Sequence, residues 1–462
     1  MAQDARLPDD PPPAAVAASP PAAIGDAKLL VKGTPAIPGA RVALTLLVLI
    51  NLFNYIDRQV LAAVEPEIRT DFLSDFSEDN AKFWMGVLPF AFLISYMLLS
   101  PLFGVLADRY SRWALVGFGV VLWSVASGLS GMPWIALGVA ASLGFAFLVV
   151  TRCFVGVGEA AYGPVAPAMI ADLFPVQKRG MVLSFFYLAI PVGGALGYAV
   201  GEGIKDVFGW HWAFVCVVPP GLFLGVWAFL MRDPPKGLTD NVQGEPKKLT
   251  LAAVGNVLRI PSYTLNTIGM TFMTFAIGGM AYWMPDFLEN RHIEAVGPIG
   301  PRTFFGILAA VGGLLSTLAG GIAGDWLRGR FSGSYFLVSG AALILGFPML
   351  LGMVYATEPW LMWVFVFLAV FCLFFNTGPT NTILANVTHP TVRASAFAIN
   401  ILIIHLFGDA ISPIIISLAS RGQPNLDRGF ILASALMAVG GVVWLVGARY
   451  LEEDTRRAPS RL

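Results

Sequence analysis

Gly104-Val-Leu-Ala-Asp108-Arg109-Tyr-Ser-Arg112 closes one long apolar run, and Gly321-Ile-Ala-Gly-Asp325-Trp-Leu-Arg328-Gly-Arg330 closes another. The two aspartates stand 217 residues apart. A second landmark repeats at nearly the same offset. Pro175-Val-Gln-Lys-Arg179-Gly180 precedes one apolar run and Pro390-Thr-Val-Arg393-Ala394 precedes another, with the arginines 214 residues apart. Two independent landmarks at nearly one spacing predict a duplicated unit.

The units are bundles of membrane helices. Of the 462 residues 56% are hydrophobic and only 13% charged, with a mean hydropathy of +0.72. Soluble domains carry roughly 25% charged residues, so an ordinary soluble enzyme is excluded. Net charge is zero, which predicts no nucleic-acid partner. About 20 apolar residues cross the hydrocarbon core. The apolar runs predict twelve spans: 40–64, 83–107, 113–131, 141–173, 180–203 and 211–231, then 262–289, 303–327, 333–356, 360–388, 391–420 and 426–450. The runs are solidly apolar rather than alternating, so they read as helices and not barrel strands. The fold class is therefore all-α membrane protein, with two pseudo-symmetric six-helix bundles. The expected organisation is a disordered Pro- and Ala-rich tail (1–38), a first bundle (39–231), a connection (232–261), a second bundle (262–450) and a short tail (451–462). Within the connection, 249–259 reads as a surface amphipathic helix. With both termini inside, cytoplasmic segments hold 20 of the 29 Lys and Arg residues and outer loops hold 7. That bias places both termini in the cytoplasm. Cys153, Cys216 and Cys372 lie in apolar stretches at spacings that suit neither a metal nor a disulfide framework.

The repeated motif supplies a gate. Gly104 and Gly321 let helices approach closely. Asp108, Arg109 and Arg112 end one span, Asp325 ends its counterpart, and Arg179 and Arg393 open spans in the opposite halves. The expected cross-half pairs are Asp108 with Arg393 and Asp325 with Arg179, closing the cytoplasmic side.

Charges inside a span are costly and by default functional. Asp57 and Arg58 lie late in the first span, in Asn54-Tyr55-Ile-Asp57-Arg58-Gln59, and Arg152 and Glu159 lie in the fourth. Arg152 and Glu159 are two turns apart on one face, about 10 Å, too far to pair directly. Span one against span four solves both halves of the problem: Arg58 with Glu159, and Asp57 with Arg152. Asp57 and Glu159 would exchange protons. Arg58 and Arg152, with Asn54 and Tyr55 beside them, would hold an anionic head group, since guanidinium keeps its charge and offers a planar fork. A secondary polar site is open to His405 and Asp409, four apart on one helix face, and to Asn376 and Asn381 around the helix-breaking Gly378-Pro379. No nucleophile–base constellation, metal-ligand cluster or nucleotide loop is present, so no enzyme, cofactor or metal is expected.

The G-x-x-x-D-R-x-x-R pattern and its echo resemble the major facilitator superfamily over roughly residues 40–450. Asn54-Tyr-Ile-Asp57-Arg58-Gln59, Gly156-Val-Gly-Glu159-Ala-Ala-Tyr, Thr271-Phe-Met-Thr-Phe-Ala-Ile-Gly-Gly-Met-Ala-Tyr-Trp-Met-Pro285 and Ala396-Phe-Ala-Ile-Asn-Ile-Leu-Ile-Ile-His405-Leu-Phe-Gly-Asp409-Ala-Ile-Ser-Pro413 closely resemble the Spinster family. The resemblance implies a lipid carrier. Animal members move sphingosine-1-phosphate, or export lysophospholipids from lysosomes with protons. It also implies functional roles for Asp57, Arg58 and Glu159. The small size and low charge resemble bacterial members, which implies a bacterial inner membrane. The expected partners are a lipid substrate, protons and the bilayer, with the chain acting as a monomer. The alternative is a proton-coupled carrier of a small organic anion; a half-apolar cavity favours lipid and a polar one favours the anion.

Overall fold

The computed structural model describes residues 39–132, 141–240, 255–297, 299–421 and 426–461. The expected tail disorder (1–38) and most of the expected amphipathic helix (249–254) lie outside these residues. Residues 255–259 form a short helical turn.

Among the described residues twelve long helices follow one another: α1 (Ala40–Ala63), α2 (Phe83–Arg109), α3 (Arg112–Ser130), α4 (Leu143–Leu173), α5 (Arg179–Phe208), α6 (Trp210–Leu230), α7 (Pro261–Asn290), α8 (Pro301–Arg328), α9 (Ser334–Tyr355), α10 (Pro359–Val387), α11 (Pro390–Ala419) and α12 (Asp427–Gly447). Eleven are long and apolar enough to cross a membrane among the described residues. α7 is the exception, because Asn266, Thr267, Thr271 and Thr274 dilute its apolar residues. It is nevertheless 30 residues long and carries no Lys or Arg. The chain is a multi-pass membrane protein. Every expected span coincides with a helix. α5 runs to Phe208, five residues beyond its expected end, and α12 stops at Gly447.

Proline sets several boundaries. Pro261, Pro301 and Pro359 occupy first-turn positions, where the missing N–H has no helical partner to lose. Gly163-Pro164 interrupts α4, and Asn376 interrupts α10 just before Gly378-Pro379. At that break the Asn376 amide donates to Cys372 O at 2.9 Å, covering a carbonyl that the broken ladder releases. α11 widens at His405–Asp409, where Ala410 N reaches back five residues to His405 O at 3.1 Å. Such widened turns recur at functional sites.

α1 packs on α5, and α2 packs on α4. In the second half α7 packs on α12, and α8 on α10. We call the end of the bundle where α1 begins the tail end; with twelve spans the last helix returns to it. The halves meet through the tail-end parts of α2 and α11, of α5 with α8 and α10, and of α4 with α11. Among the described residues, ion pairs and side-chain hydrogen bonds join the halves at the tail end and none does at the opposite, far end.

Candidate functional site

The four intramembrane charges gather in the first half. Arg58 of α1 binds Glu159 of α4, with Nε 2.9 Å from Oε2 and Nη2 on the same oxygen. Glu159 is buried, whereas the Arg58 side chain keeps 25% of its surface. Three rings surround the guanidinium: Tyr55 at 5.0 Å, Phe92 at 4.7 Å and Tyr96 at 5.5 Å from their centroids. These are cation–π distances. The cation is thus held by one carboxylate and three aromatic faces, with an edge left open.

The second expected pair does not form. Asp57 Oδ1 accepts instead from Ser127 of α3. Arg152 Nη2 donates to Ser130 of α3 at 2.6 Å, and its guanidinium sits 5.1 Å from the Phe214 ring. The two hydroxyls, one turn apart on α3, satisfy the charges that the sequence alone suggests pairing. The cluster is incompletely satisfied. Among the described residues Asp57 Oδ2 and Arg152 Nε are buried with no protein hydrogen-bond partner, and Asn54 Nδ2 and Glu159 Oε1, whose side chains lie beside each other, make no well-aligned bond. Incompletely satisfied buried polar atoms are rare, and their gathering here singles the cluster out as the candidate site.

A cavity of about 380 Å³ opens on this cluster. Arg58 and Arg152 lie on its wall, and it extends toward Glu65 and Met85 at the far end. Leu61, Ala62, Pro89, Phe92 and Val155 give it an apolar side.

The secondary polar residues split. His405 Nδ1 lies 2.9 Å from Asp409 Oδ2, and the His405 ring meets Tyr96 edge-on at 5.5 Å. Tyr96 therefore touches both Arg58 of the first half and His405 of the second. Asn381 donates to Thr377 O at 2.8 Å and accepts from Tyr187 OH at 3.0 Å, another link between the halves. Asn376 serves the α10 break. No hydrogen bond joins the asparagines to His405 or Asp409 among the described residues.

The tail-end gate corrects the expected pairs. Asp108 does not take Arg393. Its Oδ1 and Oδ2 accept from the backbone N–H of Ala394 (3.2 Å) and Ser395 (2.8 Å), at the start of α11. Asp325 does not take Arg179. It accepts from Met181 N at 2.8 Å, in the first turn of α5, and from Tyr335 OH at 2.7 Å. Each motif aspartate thus caps a helix of the other half, where free N–H groups and the helix dipole favour a carboxylate. The glycines permit this contact. A Cβ on Gly104 would lie 2.6 Å from Ala398 Cβ, and one on Gly321 would collide with Ser184.

The arginines go elsewhere because other carboxylates lie closer. Arg393 and Arg112 share Asp172, one on each oxygen. Arg112 also donates to Pro390 O at 3.3 Å and reaches Asp108 at 3.5 Å. Arg179 and Arg393 both bind Asp240, at 2.7 and 2.8 Å. Arg109 is exposed at the end of α2. Asp172, Asp240, Tyr96, Ser127 and Ser130 are the residues that sequence reasoning missed. Only Asp172 left a signal, an acid at the end of an apolar run.

The family model for the Major Facilitator Superfamily matches residues 47–413. Mouse protein spinster homolog 1 is 35% identical over 450 residues, spanning 88% of this chain and 80% of the mouse protein. A crystal structure of a double-tryptophan XylE mutant matches with a TM-score of 0.73 at 16% identity, covering 91% of this chain and 99% of that one. A crystal structure of a bacterial homologue of the human lysosomal transporter Spinster, inward-facing and unoccupied, matches with a TM-score of 0.55 at 21% identity, covering 91% and 98%. The repeated gate motif, the α1–α4 charge cluster and these likenesses together make the chain a member of the Spinster family of major facilitator transporters.

Proposed function

We propose that this transporter moves a single-chain lipid with an anionic or zwitterionic head, of the lysophospholipid or sphingosine-1-phosphate type, by proton-coupled alternating access. One observation carries the reading. Arg58 is a cation with a quarter of its side chain still exposed, at the wall of a cavity that is polar at Arg58, Gln59, Glu65 and Arg152 and apolar along Leu61, Met85, Pro89 and Phe92. A head group on the arginines and a chain along the apolar side fit that division better than a small hydrophilic anion does.

Coupling follows from the shared carboxylate. Glu159 holds Arg58 through Oε2, while Oε1 lies beside Asn54 without a well-aligned bond. A phosphate or carboxylate that takes Arg58 draws it from Glu159, and a buried carboxylate stripped of its cation binds a proton. Asp57, held by one serine, is the second proton carrier. Arg152 and Asn54 complete the head-group site, and His405 with Asp409 faces it from the second half through Tyr96. The tail end is cytoplasmic on the Lys and Arg bias, so the molecule is closed inside and its cavity opens outward. The chain works as a monomer in a bacterial inner membrane.

The test is lipid uptake by the purified protein in liposomes with an imposed proton gradient. Wild type, Asp57→Asn and Glu159→Gln are compared on labelled lysophospholipid and sphingosine-1-phosphate. Gradient-driven lipid movement that both substitutions abolish supports the reading. No lipid movement, in vesicles that carry a small organic anion with protons, overturns it.

A further inference from the structure

Residues 233–240, which follow α6 and begin the connection between the halves, are bound to the first half along their length. Asp233 accepts from Arg112 N (3.2 Å) and Trp113 N (2.9 Å), capping α3. Lys236 Nζ donates to Ala107 O (3.2 Å) and Asp108 O (2.7 Å) at the end of α2. Gly237, at φ 74°, turns the chain and donates its N–H to Asp172 at 3.2 Å. Thr239 donates to Ala171 O at 3.0 Å and accepts from Arg179 at 3.1 Å. At the end of this track Asp240 gives one oxygen to Arg179 and the other to Arg393.

Arg179 and Arg393 are the repeat-related arginines, and each reaches across to the other half. Arg393 Nη1 donates to Asp172, and Arg179 Nη1 donates to Asn386 Oδ1 at 3.0 Å. Asp172 and Asn386 are themselves repeat-related, each seven residues before its arginine. The duplication therefore places a carboxylate in the first half and a neutral amide in the second. Arg179 is fully buried and, among the described residues, receives no carboxylate from the second half. Without Asp240, it and Arg393 would face each other as buried like charges.

We propose that the connection is a working part of the tail-end gate, with Asp240 supplying the negative charge that Asn386 lacks. Tethered to the first half, Asp240 neutralises Arg179 throughout the cycle and meets Arg393 only when the tail end closes. The connection thus sets how firmly the gate shuts. The inference rests on the alternating-access reading but not on the identity of the substrate.

Distances between spin labels at Tyr110→Cys and Arg330→Cys, both exposed at the tail end of opposite halves, test it. The three native cysteines are replaced first, and measurements are made without substrate. Asp240→Asn should raise the ratio of long (open) to short (closed) distances at least tenfold. Adding Asn386→Asp should bring most of the short population back, because it returns a carboxylate to Arg179 from the other half. Asn386→Asp alone should shrink the open share below that of the parent. An unchanged distribution in Asp240→Asn overturns the proposal. So does a shift that Asn386→Asp leaves untouched, since damage to the connection itself is not repaired from α10. If Asp240→Asn does not fold, Asn386→Asp alone decides: an open share equal to or above the parent's overturns the proposal. These distances are read without lipid, so a failure of the substrate assignment leaves the result standing.

Discussion

Gly104→Ala isolates the packing of the gate from its charges. The added methyl would lie 2.6 Å from Ala398 Cβ, 2.9 Å from Ala394 O and 3.0 Å from Ser395 Cα. Carbon atoms prefer about 3.5–4.0 Å, so the closest contact is short by about 1 Å. None of the three atoms belongs to a side chain that can rotate away; α11 itself must shift. Overpacking of this kind costs about 1–3 kcal/mol. The penalty exists only while α2 and α11 touch at the tail end, so all of it falls on the closed state. Alanine's helix-propensity gain, about 1 kcal/mol, is common to both states and cancels. At about 1.4 kcal/mol per factor of ten, the closed-to-open ratio should fall by roughly 5- to 150-fold. Gly86→Ala, in the same helix with nothing within 4 Å of the added carbon, is the control and should leave the ratio unchanged. Tail-end spin-label distances provide the readout. A closed share in Gly104→Ala equal to that of Gly86→Ala would refute the argument that the glycine exists for this contact.

Three further outcomes are expected. Arg58→Lys keeps the charge but loses the fork on Glu159 and the flat contact with Tyr55, Phe92 and Tyr96; lipid transport should fall at least about tenfold, and near-wild-type transport would mean that a point charge suffices. Asp108→Asn should open the tail end more than Asp325→Asn, because Asp108 accepts from two backbone amides of the opposite half and Asp325 from one; at about 1.5–3 kcal/mol for a hydrogen bond to a charged group, the difference is about tenfold or more in the distance populations, and equal effects would count against the capping argument. Burial pushes the Asp240 carboxyl up, but Arg393 and then Arg179 outweigh it and hold the group below the ordinary aspartate range. A lowered value stabilises the closed gate fully at any pH above the ordinary range, and that contribution is lost only as the pH falls through the lowered value. The closed share should therefore show no Asp240-dependent change between about pH 6 and about pH 8, well above the usual carboxylate range; such a change, absent in Asp240→Asn, would contradict it.

The spans were legible because a 30 Å hydrocarbon core demands long uncharged runs, and only 13% of this sequence is charged. Even α7, more polar than the other spans, was legible as a run without any charged residue from 260 to 285. The Arg58–Glu159 contact was legible for a related reason: charges that cannot reach water must find each other. Asp57 and Arg152 obeyed the same demand by another route, through Ser127 and Ser130, and a hydroxyl on a third helix leaves no mark that distinguishes it from any other serine. The aromatic cage was hidden likewise, since the chain holds 34 Phe and 11 Tyr residues and nothing in their spacing singles out Phe92 or Tyr96. At the gate, sequence located the motif aspartates and the arginines but mispaired them, and it missed Asp172 and Asp240.

The mispairing follows from weighing charge against charge while leaving the backbone out. A helix start offers several unpaired N–H groups and about half a positive charge. A motif aspartate at a close glycine-mediated crossing reaches those groups without drawing a guanidinium out of its own hydrogen bonds. Arg179, for its part, is already committed to Ala171 O and Phe174 O within its own half, at 3.0 and 3.1 Å. The aspartates therefore read the position of the opposite helix, and the arginines read the carboxylates. Because these two sets of contacts are separate, the aspartate caps stand even though the second half carries an amide, Asn386, where the first carries Asp172. The connection between the halves, absent from the duplicated unit, then has a chemical reason to carry an acid at 240.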